Sequence, residues 1–438
     1  MNNKFSQITA KAKACKKLKF TSLAHHINKD LLVSVFGELK RNKASGIDEV
    51  TVGEYQANLN SNIEALVLKL KSKTYRPKPV RRVYIPKPGK NEKRALGIPS
   101  TEDKLVQLGI KHILESIFES DFLDCSHGFR PNRSCHTAVK ELDKAMMTKP
   151  VQYIVEVDIK GFFDNVSHYW LQRCLEERIS DPNFLWIIRR LLKAGIMEEG
   201  KLIGSDQGTP QGGVASPLLA NIYLHYVLDL WFEKKFRKGN RNYMQQIRYC
   251  DDFIVLFESQ KDAVCFLKEL KERLAKFKLS VAEDKTRLIE FGKRAYQRCQ
   301  RNGTRASTFN FLGFTHYYGK SRKDKIIAWH KTAKENLCRK LRAMKGWLRA
   351  MRVKAPFNEW IPILKSKLIG HYNYFGVSGN YRCLWQYYRK TVSLIFKWVN
   401  RRSDKESMTM STFINYLQFN PLPKPRIAVN FYAFRQTQ

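Results

Sequence analysis

Apolar residues recur at helical spacing through the first 75 residues, where Ile63, Leu66, Val67 and Leu70 form one stripe ahead of the turn-rich stretch Arg76-Pro77-Lys78-Pro79. The stripe predicts helices packed on a core, and the prolines mark a boundary after residue 75. The period then changes. Val83, Tyr84 and Ile85 predict a short strand, Pro86-Lys87-Pro88-Gly89-Lys90 interrupts it, and Arg94-Ala95-Leu96-Gly97-Ile98-Pro99 resumes it, so a basic hairpin is expected. Val151, Tyr153, Val155 and Val157 alternate with Gln152, Ile154 and Glu156, which is the period of a strand ending at Asp158. A second hairpin is expected where Ile247, Arg248 and Tyr249 lead into Cys250-Asp251-Asp252 and Phe253 to Phe257 lead out. Helical stretches separate these strands, so the pattern predicts an α+β fold with an antiparallel sheet. Beyond Gly319 the helical period returns: Leu337, Leu341, Met344, Leu348 and Met351 share a face, while thirteen Lys or Arg stand against Asp324 and Glu335 in residues 320–354. A single amphipathic helix with a basic exposed face is expected there. No internal repeat or low-complexity tract is visible.

Composition adds the partner. The 438 residues are 43% apolar and 12% aromatic, enough for two or three cores, yet 79 Lys and Arg against 40 Asp and Glu leave a net charge of +39. An excess of that size points to a polyanion. Nucleic acid is favoured over membrane because no 18-residue apolar run, signal-peptide pattern or lipidation motif is present. A ribosome-associated basic protein fits the charge as well. The nine Cys are scattered singly, without a Cys-x-x-Cys pair, and read as reduced thiols of a cytoplasmic protein held near nucleic acid.

The carboxylates carry the chemistry. Nucleotidyl transfer needs two divalent ions about 3.5–4 Å apart, one at the attacking 3′ hydroxyl and one at the triphosphate, held by carboxylates that converge from separate strands. Asp158 at a strand end and Asp251 with Asp252 at a hairpin tip suit that task if their strands are neighbours. Packed like charges call for cations. Asp-Asp in a hairpin is also ordinary turn chemistry.

These residues carry a resemblance. Val157-Asp158-Ile159-Lys160-Gly161-Phe162-Phe163-Asp164 resembles the first palm motif of reverse transcriptases, and Tyr249-Cys250-Asp251-Asp252 resembles their Tyr-x-Asp-Asp box. Between them, in the family's order, Gly208-Thr209-Pro210-Gln211-Gly212-Gly213-Val214-Ala215-Ser216-Pro217-Leu218-Leu219-Ala220-Asn221 is similar to the Pro-Gln-Gly block. Its glycines let backbone approach a ligand closely and Gln211 offers both donor and acceptor, although a Gly-Gly turn opening a helix is an alternative. The resemblance implies that Asp158, Asp251 and Asp252 are catalytic and, with Ile159, hold two Mg2+, for which Mn2+ substitutes. It implies nucleotide contacts from Lys87, Arg94, Phe163, Gln211 and Gly212. Phe163 would exclude a ribose 2′ hydroxyl, or simply fill the core beside Phe162. Ser126-His127-Gly128-Phe129-Arg130-Pro131-Asn132-Arg133-Ser134 is similar to a block assigned to the template, through Arg130 and Arg133. Leu279, Val281, Lys285, Thr286 and Leu288 resemble the next palm block, with Lys285 either assisting pyrophosphate departure or facing solvent. Phe311-Leu312-Gly313-Phe314 resembles the hairpin that grips the primer.

The resemblance implies a right-hand polymerase: a basic helical extension over 1–75, fingers over 76–150, a palm over 151–318 with finger elements at about 165–200, a helical thumb over 319–400 and a basic segment over 401–438. Leu364, Leu368, Gly370, Tyr372, Asn373, Tyr374, Phe375 and Gly376 look like the maturase-specific thumb of bacterial group II intron proteins, and Pro421 to Ile427 look like that family's endings. Two departures stand out: Cys250 replaces the usual Ala, and no C-terminal His-Asn-His endonuclease block is seen. The implied partners are an RNA template, a DNA primer, deoxynucleotides and intron RNA, the last bound through Arg339, Arg342, Lys345 and Arg349 on one helical face. A reverse transcriptase recruited for phage defence or DNA repair, and a splicing factor with a vestigial polymerase, are the alternatives.

Overall fold

The computed structural model describes residues 3–86, 93–198, 201–204, 207–208, 212–401 and 408–431. The chain forms two compact units, Met1–Ala138 with Tyr153–Leu288, and Val139–Gln152 with Ile289–Gln438. In chain order the first half contains α1 (Asn3–Ala14), α2 (Lys29–Phe36), α3 (Val52–Ala57), α4 (Leu59–Lys71), β1 (Val80–Pro86), β2 (Lys93–Ile98), α5 (Thr101–Phe118), α6 (Cys135–Thr148), β3 (Tyr153–Asp158), α7 (Phe162–Asn165), α8 (His168–Glu176) and α9 (Pro182–Leu192). There follow β4 (Ile196–Glu198), β5 (Lys201–Ile203), α10 (Ser216–Leu224), β6 (Met244–Tyr249), β7 (Asp252–Phe257), α11 (Gln260–Lys276) and β8 (Arg287–Glu290). The remainder is α12 (Lys293–Arg301), β9 (Phe309–Phe311), β10 (Phe314–Lys320), β11 (Ile326–Thr332), α13 (Lys334–Lys354), α14 (Phe357–Phe375), α15 (Tyr381–Val399) and α16 (Met410–Phe419). Helix and sheet are mixed throughout, as the pattern predicts. Among the described residues no helix is long and apolar enough to cross a membrane.

Local sequence accounts for many boundaries. Asn28 accepts from Leu31 N at the start of α2, Thr51 and Glu54 close a reciprocal capping box on α3, and Asp181 caps α9 with Pro182 in its first turn. The stripe on α4 is buried as expected, at Ile63, Leu66, Val67 and Leu70. Three sheets result, with orders β2-β1-β4-β5, β6-β7-β3-β8 and β11-β10-β9. The expected basic hairpin is β1 against β2, antiparallel from Arg81 opposite Ile98 to Pro86 opposite Lys93; its tip lies outside the described residues. The short pair β4 and β5 was not anticipated.

Two expectations need correction. The strand before Asp158 begins at Tyr153 rather than Val151, and Ile154 to Val157 are all buried, so it is covered on both faces instead of one. Residues 320–354 are not one helix. The chain turns at Ser321–Asp324, where Asp324 has φ 57°, and returns as β11, whose Ala328, His330 and Thr332 point inward at the period of a strand. The basic residues near 320 to 325 therefore mark a turn, with Lys320 paired to Asp324. From Lys334 the helix is present and the expected stripe holds, with Leu337, Met344 and Leu348 buried. Each contributes roughly 1.5–3 kcal/mol by leaving water.

Candidate active site

Strands β3 and β7 run antiparallel with Asp158 directly opposite Asp252. Opposed residues hold their Cβ atoms about 4.5–5.5 Å apart, so the two carboxylates share one end of the sheet. Asp251 is their neighbour in the two-residue turn that closes β6 on β7, with Tyr249 opposite Asp252. Turns of this length match strand twist when the first central residue has positive φ, and Cys250 provides it at 61°. That conformation costs a non-glycine residue about 1–2 kcal/mol, which the surroundings must offset.

Arg248 supplies the restraint. Its side chain is fully buried and all five N–H groups are used. Nε donates to Asp229 Oδ1 at 2.8 Å, one terminal nitrogen to Asn221 Oδ1 at 3.0 Å and to the Cys250 carbonyl at 2.9 Å, and the other to Ser126 Oγ at 2.9 Å and Asp229 Oδ2 at 2.5 Å. Burial alone would lower the guanidinium pKa, but Asp229 outweighs it and holds Arg248 above its ordinary value. Asp229 ends the π-helical turn His225–Asp229 and also accepts from Gln246. Asn221 completes the frame by donating to the Gly128 carbonyl at 2.6 Å. Gly128 must be glycine here, since a Cβ would stand 2.5 Å from the Cys250 nitrogen. Three sequence blocks singled out separately, around Gly128, Asn221 and Cys250, are thus tied together by two residues, Arg248 and Asp229, that no motif flagged.

The carboxylate end carries concentrated negative charge. Lost hydration, then the charges of Asp251, Asp158 and Glu156, push Asp252 up to about 7. Asp252 itself remains open to water at the strand end. Lys285 Nζ lies 2.7 Å from Asp158 Oδ2, and Arg287 lies 2.6 Å from Glu156. Among the described residues no three His, Cys, Asp or Glu side chains are drawn together as a metal cluster, and Asp158 is instead turned to Lys285. The donor set still suits a hard divalent cation, because three carboxylates sit at one strand end, with Lys285 paired to Asp158 among them. The backbone beyond Asp158 is fixed too: Ile159 is bridged to Val281, and Ala282 N donates to the Asp158 carbonyl at 2.7 Å.

The remaining expected residues fall unevenly. Lys87 and Gln211 lie outside the described residues. Arg94 is exposed on β2 opposite Ile85. Gly212, at φ 114°, approaches β2 so closely that a Cβ would meet the Gly97 carbonyl oxygen at 2.6 Å, which joins the Pro-Gln-Gly block to the basic hairpin. Phe163 is half-buried, edge-on to Phe162, and packs against the core of its unit. Arg130 is not available to a template. Its side chain is buried, Nε and one terminal nitrogen hold Glu119, and the other holds the Leu123 and Ser126 carbonyls, so it anchors its own loop. Arg133 is more open and pairs with Asp124.

In the second unit, Leu312 (φ 47°) and Gly313 (φ 83°) form the tight turn between β9 and β10, while Phe311 is buried. Tyr374 donates to the Leu312 carbonyl. On α13, Arg342, Lys345 and Arg349 are exposed, whereas Arg339 is half-buried and donates to Asn336.

The carboxylates thus stand at one strand end, braced from behind by Arg248 and Asp229. The chain matches the family described as reverse transcriptase (RNA-dependent DNA polymerase) over residues 85–316, just over half its length, and it belongs to that family. It is 41% identical over 216 residues to the group II intron-encoded protein LtrA of Lactococcus lactis subsp. cremoris, covering 48% of this chain and 36% of that one. It is 33% identical over 274 residues to the protein YkfC of Escherichia coli K12, covering 56% and 71%. To the nuclear intron maturase 4 of Arabidopsis thaliana it is 29% identical over 136 residues, covering 30% and 16%. The chain thus spans little more than a third of the length of LtrA.

Proposed function

We propose that this protein extends a DNA primer on an RNA template. The observation that supports it most directly is the cross-strand pair Asp158 and Asp252 with Asp251 in the adjoining turn. Reverse transcriptases generally use divalent metal ions, and Asp158, Asp251, Asp252 and the backbone at Ile159 would hold Mg2+ here. Bound there, the ions would activate the 3′ hydroxyl and neutralise the departing pyrophosphate. The rest is the chain's own work. Arg248 keeps the hairpin tip in place, which costs nothing at the moment of reaction because the restraint is already built. Arg94 and Lys87 bind the triphosphate, with a guanidinium fork suited to phosphate oxygens. Gly212 and Gln211 line the nucleotide, and Phe163 excludes a 2′ hydroxyl. Arg133 contacts the template.

Residues 76–150 serve as fingers, 151–318 as palm, with Phe311, Leu312 and Gly313 at the primer, and 319–400 as thumb. The exposed face of α13 with Arg342, Lys345 and Arg349, and Arg339 beside it, binds structured RNA through phosphates. Kinship with intron-encoded proteins supports intron RNA as that ligand and assistance of splicing as a second activity. Extension of a DNA primer on an RNA template with Mg2+, abolished by chelator, tests the reading. No extension in the presence of Mg2+ or Mn2+ would overturn it.

A further inference from the structure

We propose that the second unit carries a separate groove for single-stranded nucleic acid, between the β10–β11 hairpin and α15. It goes beyond the polymerase reading and lies on a different helix from the α13 surface. A cavity of about 850 Å³ opens there. Its walls bear Lys331, Arg382, Arg389 and Lys390 together with the rings of Tyr317 and Trp385 and, among the described residues, no carboxylate. All four cations are exposed, and no ion pair engages them among the described residues.

Why a single strand follows from the shape and the spacing. Arg382, Trp385, Arg389 and Lys390 recur three, seven and eight residues along α15, so they share one helical face. At 1.5 Å per residue Arg382 and Arg389 are separated by roughly 10 Å along the axis, a span of one or two nucleotides, with the indole between them. Trp385 is half-buried and braced edge-on by Tyr381 and Tyr388, and Lys331 lies over the Tyr317 ring at 5.0 Å. The indole is therefore held as a fixed platform, and Tyr317 lies beneath Lys331. A duplex keeps its bases stacked inside and offers a groove only its phosphates; an unpaired strand offers phosphates to the cations and base faces to the rings. The combination of exposed cations free of ion pairs among the described residues with a braced indole beside them selects the strand.

The experiment uses the full chain and three fluorescent probes of equal length: oligoriboadenylate, oligodeoxyadenylate and an RNA–DNA duplex. Arg382→Gln combined with Arg389→Gln should flatten the slope of log K against log salt for the single strands by about 1.4, two contacts at about 0.7 each. Trp385→Ala should weaken single-strand binding about tenfold, and Trp385→Phe should restore most of it. Duplex binding and single-nucleotide addition to a primer–template should stay unchanged in every variant. The two oligonucleotide arms then say whether the strand is RNA or DNA. Equal losses for duplex and single strand, or unchanged single-strand binding, would overturn the proposal. If Trp385→Ala lowers the melting temperature, the exposed arginine pair decides alone. Failure of the polymerase reading is a separate outcome, since it would remove extension in the wild type and leave these titrations intact.

Discussion

At the tip of the β6–β7 hairpin, acceptors from four residues enclose one buried guanidinium, whereas on α13 the exposed cations, Arg342, Lys345 and Arg349 among them, stand free of ion pairs among the described residues. The first region keeps like charges in a fixed array and needs every neighbour in place. The second needs only positive charge facing water, because phosphate binding draws its free energy from released counterions rather than from aligned geometry. Single substitutions should therefore be severe at the tip and mild on the helix, where effects add.

Asp251→Asn is the harshest way to probe the tip. Mg2+-dependent extension should fall by several orders of magnitude while primer–template binding survives, as read by extension beside a binding titration. Robust extension by the mutant would dissolve the contrast. Arg248→Met leaves Asp229 buried without its charge partner, so unfolding free energy should drop by about 3–5 kcal/mol in a denaturant titration. Adding Asp229→Leu should recover most of that stability, because apolar replacement of a buried pair is often neutral. Extension should remain low, since the Cys250 carbonyl and Asn221 still lack their donor. Recovery of both would reduce Arg248 to packing.

Acid sharpens the comparison between the units. Burial pushes His316 and His371 down to about 3, so both are neutral when folded, and each would titrate near 6.5 once unfolded. Their stability is complete above about pH 6.5 and is lost as pH falls towards 3, by on the order of 2 kcal/mol each at pH 5. His225, pushed down to about 4, acts likewise in the first unit. His371 stacks on Tyr387 at 3.7 Å, so His371→Phe should keep the stack and flatten the melting temperature against pH by one proton's worth. An unchanged slope would show that His371 charges without cost.

Two smaller effects complete the series. Phe163→Val should raise ribonucleotide incorporation relative to deoxyribonucleotide about tenfold in competition assays, and unchanged selectivity would return the ring to the core. Replacing Arg339, Arg342, Lys345 and Arg349 by Gln should flatten the salt slope for structured RNA by about 2–3, with Arg339 contributing least because Asn336 already holds it. Processivity should fall more than single-nucleotide addition. A slope that does not move would leave α13 a solvated face.

The sequence made the carboxylate hairpin legible because Asp251 and Asp252 stand directly before the apolar run Phe253 to Phe257, whereas the register that sets Asp158 opposite Asp252 is a long-range pairing that alternation along one strand does not specify. The brace behind them was hidden. Arg248 occupies a strand position that pattern alone assigns to solvent, and its partner Asp229 lies nineteen residues away in a π-helical turn that no periodicity announces. The same blindness led Arg130 to be read as a template contact: a motif cannot distinguish an arginine that reaches outward from one whose donors are spent on its own loop. In the second unit the basic run from Lys320 masked a turn, and a buried histidine, His330, sits within the inward alternation of β11 where an apolar residue would have announced a strand.

Cys250 has a bearing on how the protein is handled at the bench. Burial first, and the Asp251 charge after it, push this thiol up to about 12, so at neutral pH it carries almost none of the thiolate that alkylating reagents and peroxide attack. Exposed Cys15 is the favoured target instead, since exposed Cys265 is raised by its bond to Glu269. A maleimide dye can therefore be attached near the amino terminus, and reductant left out of the buffer, without modifying the hairpin on which the chemistry depends.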